Sequence, residues 1–274
     1  MSGEGNRQFD MEIVLEASVE ATWKALSDAR EVQRWFAPEV QIEPGPGGSV
    51  RWAWGDSHAW PQRIEIWEPG SHLRTTYESQ VEDGQGGKRP LVMDFHLKGQ
   101  GGKTTLRMVH SGFGPESDFD TEFDGISRGW PIELRSLRLY LEDHLGKDRQ
   151  VVWSVRKVSG SFAEAWQALT GESGLRCGEA IGSLQEDDRF AFETSEGDRF
   201  EGFALRSAEN EFCGVVTSHG NAFLRFTIEA CMDDQVWFWI GLYGRPESEV
   251  RGLQERADAM LSRLFQADGV GAGS

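Results

Sequence analysis

One eleven-residue word occurs twice in this chain, and the repetition constrains the fold more than any other feature. Residues 18–28, SVEATWKALSD, return 143 positions later as residues 161–171, SFAEAWQALTG, with Ser18 on Ser161, Trp23 on Trp166, Ala25 on Ala168 and Leu26 on Leu169. A period this long means tandem domains, since solenoid repeats recur every roughly 20–50 residues. The 274 residues are therefore expected to form one domain over 1–148 and a second, reduced one over 149–274. Each is long enough to bury a core of its own.

Charge narrows the partners. The net charge of −17 is shared evenly, with 25 acids against 16 bases in residues 1–148 and 20 against 12 in residues 149–274. Neither half is a basic nucleic-acid-binding module, and an acidic surface repels anionic membranes. Cys177, Cys213 and Cys231 are odd in number and nowhere spaced as CxxC, which speaks for a reducing compartment and against a disulfide framework or a zinc site. The first residues, MSGEGNRQFD, lack a basic end followed by an apolar run, and no stretch of 18 apolar residues occurs. The expectation is a cytoplasmic protein with no cofactor and no metal.

The order of elements follows from periodicity. Met11, Ile13, Leu15 and Ala17 alternate as in a strand. Ser18 is placed to cap a helix carrying Trp23 and Leu26, a short helix over 28–36 ends in Trp35-Phe36, and Pro38 stops it. Strands are predicted over 50–55, 60–67, 72–79, 91–98 and 104–110, separated by Gly-rich turns. Ile126, Trp130, Leu134, Leu137 and Leu141 then mark a long amphipathic helix over 118–145, kinked or restarted at Pro131. The second half repeats the plan with a strand over 151–158, a helix over 161–170, strands over 175–243 and a helix over 246–266; the second short helix has no counterpart. An apolar sheet face of this size needs a cover, and the terminal helix of each half is long enough to supply it.

Several words in this order point to a family: Leu15-Glu16-Ala17-Ser18, Gln33-Arg34-Trp35-Phe36, Gly47-Gly48, residues 64–69, His110-Ser111-Gly112-Phe113 and Gly129-Trp130. Together they resemble the START-like (SRPBCC) superfamily, and within it the branch named after the activator of the heat-shock-protein-90 ATPase. The resemblance spans residues 9–145; over 151–266 it rests on the repeated word and the order of elements. It implies an α+β protein of two tandem helix-grip domains, each a curved antiparallel sheet around a long C-terminal helix with a ligand cavity between. Members of the superfamily bind lipids, hormones and polyketides there, and some are cyclases.

Side chains with apolar bulk and a polar edge, placed where that cavity would lie, are Trp35, Phe36, Trp52, Trp54, Trp60, Tyr77, His96, His110 and Trp130, with His58 nearby. Such a wall suits a flat, mostly apolar or aromatic ligand. Arg51, Arg63, Arg74 and Arg107 lie on strands as candidate cations for a ligand carboxylate or enolate, although alternation turns Arg107 outward. No GxSxG, no HExxH and no ligand spacing among the six His is present, so no catalytic set is assigned. Asp118, Asp120, Glu122 and Asp124 read as charge compensation at a helix N-terminus. In residues 236–243, VWFWIGLY, both alternating faces are apolar, so the Trp237 and Trp239 face is expected to meet the other domain or a second subunit. The function expected is binding of a small apolar or aromatic molecule without catalysis; the alternatives are a polyketide aromatase/cyclase and a chaperone-interacting protein.

Overall fold

The computed structural model describes residues 7–55, 59–82, 87–114, 119–177, 179–229 and 234–265. The chain divides into two compact units, Met1–Lys147 and Asp148–Ser274. His58, Asp118 and Cys231 lie outside the described residues.

In the first unit, β1 (Arg7–Leu15) leads into α1 (Val19–Ser27) and α2 (Ala29–Gln33). Six strands follow: β2 (Glu39–Glu43), β3 (Ser49–Ala53), β4 (Ala59–Glu68), β5 (His72–Glu82), β6 (Lys88–Gln100) and β7 (Lys103–Phe113). The long helix α3 (Asp120–Asp143) closes the unit. The sheet is antiparallel in the order β1-β7-β6-β5-β4-β3-β2. β1 pairs with the last strand, so the meander curls back on its start and α3 packs against β1 and α1. Leu91, Met93, Phe95 and Leu97 alternate on the inner face of β6, and Leu106, Met108 and His110 on that of β7. Leu134, Leu137, Tyr140 and Leu141 bury the facing stripe of α3.

The short helices are held by identifiable bonds. Ser18 Oγ accepts from Ala21 N at 3.2 Å and opens α1. Asp28 closes α1 through its own N–H to Lys24 O and opens α2 by accepting from Glu31 N at 3.0 Å. Five residues cannot sustain a helix alone. α2 is fixed to α3 by the hydroxyl of Tyr140, which donates to Glu31, and by Ser136 Oγ donating to Trp35 O at 2.8 Å. Burial works against the charge on Glu31, but hydrogen bonds from Tyr140 and Lys24 and the neighbouring Arg34 hold its carboxyl below the usual range.

Two of the family words have a steric basis. A Cβ on Gly48 would lie 2.0 Å from Glu43 O, and at Gly112 (φ 102°) it would lie 2.6 Å from Pro90 O. Neither position admits a side chain.

The second unit comprises β8 (Arg149–Lys157), α4 (Phe162–Thr170), a 3₁₀ turn at Glu179–Ser183, β9 (Arg189–Glu193), β10 (Arg199–Ala208), β11 (Glu211–Val216), β12 (Ala222–Glu229), β13 (Gln235–Tyr243) and α5 (Glu247–Leu264). Its antiparallel sheet runs β8-β13-β12-β11-β10-β9, again with the first strand beside the last. α5 packs against β8, and Leu253, Ala257, Met260 and Leu261 meet Val236, Phe238, Ile240 and Leu242 in one core. The fold is thus α+β, two helix-grip units in tandem. A strand corresponding to β2 is absent among the described residues of the second unit, and a 3₁₀ turn stands where α2 does in the first.

Three expectations are corrected. β2 adds a strand to those predicted: EVQIE lies between Pro38 and Pro44 and offers only Val40 and Ile42 as alternating apolar positions, too few to mark it. Strands β5 to β7 run two or three residues beyond their predicted ends, where neighbouring strands pair with them, and β4 runs one residue beyond each of its own. α3 does not restart at Pro131 but continues through it as one helix, although proline removes the N–H that would bond the carbonyl of Ser127.

Candidate functional site

The inner face of the first sheet gathers most of the predicted aromatic residues into one connected group. Trp52 and Trp60 are register partners on β3 and β4 and so share a face. Phe36 stacks on Trp35 at 5.1 Å and on Trp130 at 5.6 Å, and meets Trp52 and Trp54 edge-on at 4.8 and 5.1 Å. Trp54 meets Trp60 at 5.4 Å, and these two are partly exposed where Trp35, Phe36 and Trp130 are buried. Trp35 serves the wall differently from the others. Its Nε1 donates to Ala25 O at 2.8 Å, which ties α2 to α1 and leaves it a buried support behind Phe36.

A polar relay crosses this group. Trp130 Nε1 donates to His110 Nδ1 at 3.2 Å, and His110 Nε2 lies 3.0 Å from the hydroxyl of Tyr77. An indole nitrogen can only donate, so His110 Nδ1 is the acceptor and the neutral ring carries its proton on Nε2. Nε2–H then donates to the Tyr77 oxygen, and the Tyr77 hydrogen is free to point onward. Burial drives the His110 pKa down to about 3, which keeps the ring neutral. Burial, aided by the charge of Glu122, pushes the Tyr77 phenol well above its ordinary value and so keeps it a donor.

Glu122 was read from the sequence as helix-terminus compensation, and its surroundings are different. Oε1 accepts from Gln80 N at 3.1 Å, while Oε2 is buried with no hydrogen-bond partner among the described residues. Burial raises its pKa. Trp52 Nε1 and Ser127 Oγ are likewise buried and unpartnered. Thr75 and Gln62, bonded to each other at 2.6 Å, add a buried polar pair on β5 and β4. Sequence reasoning missed Glu122, Ser127, Gln62 and Thr75; of these, Gln62 and Thr75 carried a readable signal, since they alternate in phase with Ile64 and Leu73.

His96 does not belong to the group. On β6 the odd positions Leu91 to Leu97 face inward, so His96 lies on the outer face, stacked on His72 at 4.1 Å. The four arginines are also outside: Arg51 meets Glu39, Arg63 meets Glu65, Arg74 meets Asp94 and Arg107 meets Asp10. For Arg107 the alternation with Leu106 and Met108 already points there. In the second unit, Trp153, Trp237 and Trp239 form a row on the sheet face turned from α5, with Arg149 and Arg225 over their rings.

Residues 16–142 match the family described as Activator of Hsp90 ATPase homolog 1-like protein, so the resemblance carried by the words of the first half is found. The chain is similar to protein MLL2253 of Mesorhizobium loti, with 24% identity, 50% of this chain and 97% of that one covered, and a TM-score of 0.45. It is similar to Aha1 of Colwellia psychrerythraea, described as a dimer, with 18% identity, 51% and 99% covered, and a TM-score of 0.44. DynU16, from the dynemicin biosynthetic locus, is 19% identical over 92% of this chain and 95% of that one, with a TM-score of 0.42. No curated protein matches. No helix among the described residues is long and apolar enough to cross a membrane.

Proposed function

We propose that the first unit binds a small, mostly apolar or aromatic molecule carrying at least one hydrogen-bond acceptor, between its sheet and α3. The single observation that carries this reading is the directed relay from Trp130 through His110 to Tyr77, which leaves the Tyr77 hydroxyl as a neutral donor beside the aromatic group. The unpartnered Trp52 Nε1 and Glu122 Oε2 support it, because buried polar atoms are rarely left unmatched. The rings supply area and the relay supplies orientation.

A second reading, an enzyme of the aromatase/cyclase type acting on a poly-ketone chain, is favoured by the proximity of Tyr77 and Glu122. Glu122, its pKa raised by burial, would hold and return the proton at an enol oxygen that the Tyr77 hydroxyl keeps in place by donating to it.

Native mass spectrometry of the protein as purified, followed by denaturation, tests the binding reading directly by releasing any resident molecule. In parallel, quenching of tryptophan fluorescence by naphthaldehydes and by the matching alkylnaphthalenes separates acceptor from apolar contact. Tyr77→Phe is expected to weaken the aldehydes roughly five- to tenfold, the worth of one hydrogen bond, and to leave the hydrocarbons unchanged. An unliganded protein that none of these probes quenches saturably would remove the proposal. Conversion of a triketide probe would move the choice to the enzyme.

A further inference from the structure

The outer face of the first sheet carries a second cluster that the binding site does not use. His72 on β5 and His96 on β6 are direct register partners. Leu97 N donates to Ser71 O at 2.8 Å, which identifies them as a non-hydrogen-bonded pair, the arrangement in which opposing side chains approach most closely. Asp94 stands two residues before His96 on the same strand and the same face. Its Oδ1 lies 2.5 Å from His72 Nε2. One donor atom from each of the three residues falls within 4.8 Å of the others.

We propose that His72, Asp94 and His96 bind a single divalent transition-metal ion of the zinc class. Two imidazoles and one carboxylate are donors that suit zinc, nickel and copper, and select against magnesium and calcium, which take oxygen ligands. Bonds of roughly 2.0–2.2 Å place donor atoms roughly 3–4 Å apart around one ion, a span these side chains reach by small rotations. Arg74 completes the arrangement from outside the donor set. Its Nε and Nη2 donate to Asp94 Oδ1 and Oδ2 at 2.7 and 3.1 Å, fixing the plane of the carboxylate as outer-shell partners do. The local charge also admits a dication. The guanidiniums of Arg74 and Arg107 near His96 are outnumbered by Asp94, Glu65, Asp10 and Glu12. Spacing along the chain hides the site, since His72 and His96 are brought together by strand register.

Isothermal titration of the full chain with zinc chloride at pH 7.5 tests this. One equivalent is expected to bind, and His72→Gln and His96→Gln are each expected to weaken it on the order of tenfold or more. Because either variant could perturb the sheet, the imidazole resonances of the intact protein give an independent readout, and those of His72 and His96 should shift together with the first equivalent. Absence of stoichiometric binding, binding unaltered in both variants, or first shifts at His110, His144 or His219 would overturn the proposal.

Discussion

The two units use one topology to build opposite interiors. Under the first sheet, Gln62, Thr75, Tyr77 and His110 stand on the same face as the rings, and three buried polar atoms in or beside that group have no hydrogen-bond partner among the described residues. Under the second, most of the corresponding space is taken by Phe190, Phe192, Phe200, Phe212, Phe226 and Phe238, which meet one another stacked, tilted or edge-on at 5.0 to 6.4 Å and leave a pocket of about 10 Å³ beside Phe200 and Phe238. A phenylalanine interior needs nothing from a ligand, because its contacts are already made and it has no hydrogen bonds to place. A mixed interior tolerates its polar atoms only when something meets them. One helix-grip frame therefore yields a core in one copy and a candidate site in the other.

The comparison is most sharply tested in the second unit. Phe226→Ala, at a fully buried ring touching Phe212, Phe192 and Trp166, should cost roughly 3–5 kcal/mol in denaturant titration. A loss below about 1 kcal/mol would mean that this interior is loosely filled, and the contrast between the units would fail.

In the first unit, Tyr140→Phe leaves the buried Glu31 without the hydroxyl that donates to it and should cost about 1–3 kcal/mol by chemical denaturation. The polar relay predicts a pH dependence of definite sign. His110 is neutral in the folded protein down to about pH 3, whereas the unfolded chain binds its proton below about 6.5. The unfolded state thus holds more protons in that window, and stability falls as pH drops from 6.5 towards 3. His110→Gln should flatten this fall by up to about 1.4 kcal/mol per pH unit, read from denaturation midpoints across the range. An unchanged slope would mean that the imidazole is solvated.

The smallest effect compares the repeated words themselves. Ser161 forms a reciprocal capping box with Glu164, while Ser18 caps α1 with Ala21 in the third position. Ser18→Ala and Ser161→Ala should each cost about 1 kcal/mol, the second slightly more, in thermal unfolding followed by circular dichroism.

Much of this was legible in the chain. The capped helices, the meander and the terminal helices follow from Ser18, Ser161, the Gly-rich turns and the apolar stripes, all of which act over a few residues. The side of the sheet on which His96 lies was legible too, in the alternation of Leu91, Met93, Phe95 and Leu97. What the sequence withheld depends on distant partners. The burial of Glu122 requires Tyr77 beside it and the backbone of Gln80 bonded to it, and an acid in a first helical turn looks the same whether or not they arrive. The meeting of His72 with Asp94 requires a register that only the folded sheet supplies.

Asp28 ends one helix and begins the next with no residue between. A joint one residue long has no slack: it cannot be lengthened or shortened without rotating everything beyond it by a helical step. The pose of Phe36 over Trp130 is therefore inherited from the direction of α1. Change in the choice of ligand is easier by exchanging side chains along the wall than by reshaping the loop that carries it.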